Sequence, residues 1–152
     1  MKKFTSYKIV PELNLIIGNY QGNIGLKEVM LQTYSFTIDP DFNPEFNVLL
    51  DFRNSSAIAF RMDIDDYVRF LKKTLILKSK VMVGILYRTP NQEYLLKIYK
   101  GLGKFLNMEI GYFIQLEDCL NWMNFTETEK SFISKTLTNL KYQSTNLDLI
   151  NS

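Results

Sequence analysis

Asp39-Pro40-Asp41-Phe42-Asn43-Pro44-Glu45-Phe46-Asn47-Val48-Leu49-Leu50-Asp51-Phe52-Arg53 is the stretch that decides the fold. Its first half is turn chemistry, and the apolar run that follows is too short for a helix, so it reads as a buried strand over residues 46–52. A carboxylate and a guanidinium, Asp51 and Arg53, stand at the strand exit. Residues two apart on a strand project to one face, and open α/β sheets hold ligands beyond the carboxyl ends of their strands. Asp51 and Arg53 are therefore the first candidate binding residues, with Arg61 further along the same connection. The ordinary alternative is local: Asp51 accepts amides of the next loop and pairs with Arg53.

Working toward the N-terminus, Gly22 to Gly25 breaks the chain before a helical stripe of Leu26, Val29, Met30 and Phe36, which Asp39-Pro40 terminates. Ahead of it, residues 7–10 and 13–20 are extended runs separated by Pro11-Glu12, an opening hairpin. Toward the C-terminus, residues 54–60 read as an irregular connection, and Ile64, Tyr67, Val68, Leu71 and Leu75 mark a second helix beginning near Asp63. Residues 81–87 are almost wholly apolar, the pattern of a central strand. Thr89-Pro90-Asn91-Gln92 opens a third helix with a hydroxyl cap, a proline at the first helical position and a glutamine placed to return the capping bond. Leu95, Ile98, Leu102, Phe105 and Leu106 form its stripe, and Asn107 is a left-handed stop. A strand over 109–114 and a short helix over 116–123, with Cys119, Leu120 and Met123 inward, complete a domain of residues 1–124. Residues 125–152 are rich in Thr, Ser, Asn and Lys; Thr126 and Glu129 make a capping box, and Ile133, Leu137 and Leu140 make a stripe, so a C-terminal helix and a polar tail are expected. Strands alternating with helices give an α/β domain built on a mixed sheet of about five strands.

With this order in view, residues 7–124 resemble the SpoIIAA-like family, the STAS-type fold of bacterial regulatory proteins, in its stand-alone branch. The residues that carry the resemblance are the hairpin leading to Gly22 and a helix with Glu28, the Asp39-Pro40 and Phe42-Asn43-Pro44 turn into Val48-Leu49-Leu50-Asp51-Phe52-Arg53, Ile98-Tyr99 on the penultimate helix, and Ile114 with the segment from Leu116 to Trp122. The resemblance implies helices mainly on one face of the sheet, and binding of a protein or small ligand in place of catalysis. In the anti-sigma antagonist branch a serine near the start of the helix after the third strand is phosphorylated within an Asp-Ser-Ser-Gly-like sequence. Asn54-Ser55-Ser56-Ala57 stands there in this chain, making Ser55 and Ser56 candidate phosphoacceptors, although the aspartate and the glycine are missing.

Composition narrows the chemistry. At 152 residues, 46% hydrophobic and 14% aromatic, the chain suits one domain with its own core. A net charge of +2 lacks the concentrated basic footprint of a nucleic-acid binder. No run approaches the roughly twenty apolar residues of a membrane span. Met1-Lys2-Lys3 is not followed by an apolar stretch, and a lone Cys119 makes no intramolecular disulfide, so a cytoplasmic location is expected.

There is no histidine, phosphate-cradling glycine loop or metal-ligand spacing, and neither a cofactor nor a metal is expected. Asp63, Asp65 and Asp66 have the oxygen ligands of a cation site but fit better as acids at a helix start. Lys97, Lys100 and Lys104 share the solvated face of a helix, and Cys119 without a basic partner belongs to a core. Phe105, Tyr112, Phe113 and Trp122 are candidates to line a pocket for an apolar ligand. The leading expectation is a non-catalytic interaction or regulatory module, meeting a protein partner through the loop face around Arg53 to Arg61, with a homodimer as a candidate assembly. The alternative is a carrier or sensor of a small apolar or lipid-like molecule, since other proteins of related fold hold lipids. A carboxylate-run hydrolase or isomerase ranks last.

Overall fold

A computed structural model describes residues 3–56, 61–75 and 79–151, with the side chains of 61–63, 102, 104–105 and 144–151 left aside. Five strands stand in the order β1 (Phe4–Val10), β2 (Leu15–Gly22), β3 (Asn47–Ser55), β4 (Val81–Leu86) and β5 (Met108–Phe113). β1 runs antiparallel to β2, and the remaining neighbours are parallel. The hairpin turns through a 3-10 segment, Pro11–Leu13, and is closed by Asn14 in the left-handed region at φ 51°.

This strand order explains the layering. Each parallel neighbour requires a crossover, and right-handed crossovers that always step the same way along a sheet leave their helices on one face. The three crossover helices, α1 (Leu26–Thr37), α2 (Arg61–Thr74) and α3 (Pro90–Leu102), accordingly pack on one side, against Leu50, Val81, Val83, Ile85 and Ile110. The opposite side would be bare. It is covered by α4 (Leu116–Trp122) and α5 (Glu127–Asn151), which set Cys119, Leu120, Ile133, Leu137 and Leu140 on Leu15, Ile17, Leu49 and Leu86. Each aliphatic side chain so buried contributes about 1.5–3 kcal/mol, so the C-terminal helix is part of the core. Lys130 fastens α5 to α4 by donating to Glu117 Oε1 at 2.8 Å and to Asn121 Oδ1, and also donates to Glu127 Oε1 of its own helix at 2.9 Å. Those bonds hold its pKa above the ordinary value.

Several boundaries differ from the sequence reading. β3 does not end at residue 52: beyond an irregularity between Asn19 and Gln21, Gln21 pairs with Asn54 and Gly22 with Ser55. Gly22 permits this by taking φ 82°, and its carbonyl receives the Ser56 amide at 3.0 Å. Ser55 therefore lies in the sheet, and of the supposed irregular connection residues 57–60 are outside the described ones. α2 begins at Arg61 and not near Asp63, as the helix-forming Arg61 and Met62 allow. β5 starts one residue early, at Met108. α3 tightens into a 3-10 turn, Gly103–Leu106, before Asn107 stops it at φ 58°, and α5 continues to Asn151 where a polar tail was expected.

Candidate functional site

Two places at the carboxyl end of the parallel strands have the character of a site, one polar and one apolar. They lie on opposite faces of β3.

The polar one contains the residues singled out in the sequence. Asp51 projects to the α4/α5 face and is 1% exposed. It accepts the backbone amide of Arg53 at 3.0 Å, while the Arg53 guanidinium grips both carboxylate oxygens, Nε at 3.0 Å and Nη2 at 2.9 Å. Lys141 of α5 adds a third cationic contact at 3.3 Å. Burial pushes the Asp51 pKa up, but the side-chain and backbone bonds from Arg53, with the charges of Arg53 and Lys141, outweigh it and hold the carboxyl below its ordinary value. Asp51 and Arg53 thus come together with each other and with a helix that the sequence did not connect to them. The Arg61 side chain lies outside the described ones.

The serines are equally engaged. Ser55 is buried and its hydroxyl donates to the Phe52 carbonyl at 2.8 Å, while the exposed Ser56 hydroxyl bonds Asn23 Oδ1. Asp66 pairs with Arg69, Lys97 lies 3.7 Å from Glu93, and Lys100 sits 5.6 Å from the centre of the Tyr112 ring. The Asp63 and Lys104 side chains are outside the described ones. Cys119 is fully buried, and burial pushes its thiol up to about 12, so it is no nucleophile near neutral pH.

The apolar place is a cavity of about 130 Å³ between the sheet and the three crossover helices. Leu50, Phe52, Ile85 and Tyr87 rise from the ends of β3 and β4, and Ile24, Leu26 and Val29 close the α1 side. Ile64 and Tyr67 come from α2, and Gln92, Leu95, Leu96 and Tyr99 from α3. Period-two alternation puts Leu50 and Phe52 on this face and Asp51 on the other. The Phe52 ring is held flat against Tyr20, with centroids 4.2 Å apart and planes within 3°, and Tyr67 leans on Tyr99 at 5.9 Å. A smaller cavity of about 40 Å³ lies beyond Leu50, Tyr67 and Tyr99, which line both.

Three polar side chains of these walls, Gln92, Tyr67 and Tyr99, have partners. Gln92 Nε2 donates to the Ser55 and Phe52 carbonyls at 3.2 and 3.4 Å, and its Oε1 accepts the Arg88 and Thr89 amides at 2.9 and 3.2 Å. The capping glutamine read from the sequence therefore also ties α3 to the end of β3. Tyr67 Oη and Thr33 Oγ1 share a hydrogen bond of 3.1 Å, and Tyr99 Oη donates to Met108 Sδ at 3.8 Å. Burial raises the pKa of Tyr67, and that of Tyr99 well above its ordinary value, so both phenols stay protonated. Deeper under α1, Tyr20 Oη and Gln32 Nε2 are buried without a hydrogen-bond partner among the described residues, as is Asn19 Oδ1 on the opposite face, in register with Asp51. Burial pushes the Tyr20 phenol far up, and the neighbouring Gln32 amide offsets this only in part.

Three of the four aromatic residues expected around a pocket are elsewhere. Phe113 and Trp122 pack on each other on the α4 side at 5.4 Å, Tyr112 meets Tyr87 at 5.7 Å, and the Phe105 side chain is not among the described ones. The actual wall was missed because its residues are ordinary members of apolar stripes, and a void leaves no mark on periodicity.

No family model matches the sequence, and no curated protein matches it. Among solved structures, the chain is similar to an uncharacterised DUF3478-family protein from Shewanella loihica PV-4 described as having a SpoIIAA-like fold. The TM-score is 0.53 and the identity 18%, over 80% of this chain and 95% of that one. The fold is SpoIIAA-like, as the sequence suggested.

Proposed function

We propose that this protein is a non-catalytic binding module that carries or senses a small apolar molecule in the cavity between β3, β4 and helices α1 to α3. The observation that carries this is the cavity itself: about 130 Å³ at the carboxyl end of a parallel sheet, walled by aliphatic and aromatic side chains. Catalysis is a poor fit, because among the described residues the wall holds no carboxylate, amine or thiol, and its buried phenols are held protonated. The polar rim is a weaker candidate for partner recognition, since Asp51 and Arg53 satisfy each other. Native mass spectrometry of gently purified protein, paired with solvent extraction of the sample, tests the proposal. A reproducible small apolar adduct that Leu96→Trp removes supports it; an apo mass that no added apolar compound shifts contradicts it.

One observation favours a second role, recognition of a protein partner. α1 turns Leu26 and Val29 to the cavity, yet Leu31, Tyr34 and Ile38 on its other side are 56%, 53% and 64% exposed. A helix that touches a ligand inside and presents an apolar stripe outside is placed to report occupancy. A photo-crosslinker at position 34 checks this in cells: a discrete adduct there and none at position 53 is the expected pattern, and the reverse pattern contradicts it.

A further inference from the structure

We infer, building on the binding role proposed above, that the ligand is a neutral compound about the size of a single aromatic ring, and that long acyl chains and charged head groups are excluded. Size gives the first limit. The cavity of about 130 Å³ is close to the roughly 150 Å³ at which a dry apolar protein cavity admits benzene. It falls well short of the roughly 300 Å³ at which sites for drug-sized molecules begin. The neighbouring void of about 40 Å³, which shares Leu50, Tyr67 and Tyr99 with it, adds too little to reach that size.

Chemistry gives the second limit. A buried polar or charged ligand group must recover the hydrogen bonds it gave to water, and it needs free partners on the wall. Gln92 has both ends of its amide occupied, the Tyr67 hydroxyl is joined to Thr33 and the Tyr99 hydroxyl faces Met108, which leaves the Tyr87 hydroxyl as a single neutral polar group on the described wall. No charged side chain is on the described wall. What the wall does offer is rings: Phe52, Tyr67, Tyr87 and Tyr99 surround the space, and aromatic groups prefer the offset and edge-to-face arrangements such a set permits. The walls from α1 and α3 are only half buried at Val29, Leu95 and Leu96, so a small molecule can reach the cavity past side chains, without the sheet opening.

The test is a titration of the full chain, carrying ¹³C-labelled Ile, Leu and Val methyls, with toluene, phenylacetate and decanoate separately. Toluene is expected to move the methyls of Leu50, Ile64, Ile85 and Leu96 saturably, leaving those of Leu15, Ile17 and Leu137 on the opposite face in place. Phenylacetate and decanoate are expected to bind at least tenfold more weakly. Leu96→Trp fills the cavity and is expected to abolish the toluene response while the Leu15 and Leu137 methyls keep their positions; Val29→Phe serves if that variant does not fold. Decanoate saturating the same methyls while toluene does not would overturn the ligand class but leave the binding role standing. No response to any of the three in folded protein would overturn both. A toluene response unchanged in the filled variants would place binding elsewhere and overturn the inference.

Discussion

The two faces of β3 differ in how completely they are closed. On the α4/α5 face Leu15, Ile17, Leu49, Leu86, Cys119 and Ile133 are all 0% exposed, and a methyl group added at Gly84 would stand 2.5 Å from Cys119 Sγ. On the α1–α3 face Val29, Leu95, Leu96 and Tyr67 are only partly covered and line a pocket open to solvent. The filled face is held by the C-terminal helices and by a buried carboxylate with three cationic contacts; the face with room is built from crossover helices that meet through Thr33, Tyr67 and Tyr99 but leave a pocket toward the strand ends. Both sides contribute buried clusters to the core, and the α1–α3 side also keeps space.

Substitutions should separate the faces. Leu137→Ala empties a site on the filled side and should cost about 3–4 kcal/mol by chemical denaturation, whereas Leu96→Ala at the cavity should cost about 1 kcal/mol, since that side chain is already partly exposed and borders the cavity. Equal losses would break the comparison.

Asp51→Asn should cost about 2–3 kcal/mol, because Arg53 and Lys141 lose a buried carboxylate partner. Its pH dependence has a defined sign. The folded pKa of Asp51 lies below the unfolded one, so its stabilisation is fully present above the ordinary carboxylate value of about 3.9 and is lost as pH falls through the lowered folded value. Acid denaturation of Asp51→Asn should therefore lose part of the steep limb below about pH 4 that the parent shows. An unchanged acid limb would mean that the pair with Arg53 and Lys141 is not formed.

Smaller effects come from adding atoms. Gly84→Ala should destabilise by about 1–3 kcal/mol through overpacking against Cys119. By contrast Val29→Leu, which projects into the cavity, should be neutral or stabilising by up to about 1 kcal/mol. The thiol of Cys119 should resist labelling at pH 8 until the protein is unfolded, consistent with its burial and a pKa pushed up to about 12. Rapid labelling of native protein would show that the filled face opens.

Much of this architecture is legible from residues. Val48-Leu49-Leu50 with its turn residues marks β3, Thr89 and Gln92 cap α3 as their spacing requires, and Asn107 takes the left-handed conformation. The extension of β3 through Asn54 and Ser55 is not legible, because polar residues that read as a turn are held by a ladder to β2 that exists only after the chain has folded. The pairing of Asp51 with Arg53 follows from strand alternation, while Lys141, ninety residues on, could be connected to it only through the packing of α5. The cavity is the least legible element. Sequence periodicity tells which face a side chain joins, but a void is the small difference between the space that α1, α2 and α3 enclose and the volume that their side chains fill.

Xenon binding tests the difference between the faces most directly, because xenon needs only apolar room. A crystal pressurised with xenon should show one principal site among Leu50, Ile85, Leu96 and Tyr99, with none between β2, β3 and α5. An empty α1–α3 face, or a xenon atom lodged instead beside Leu49 and Leu137, would contradict the account.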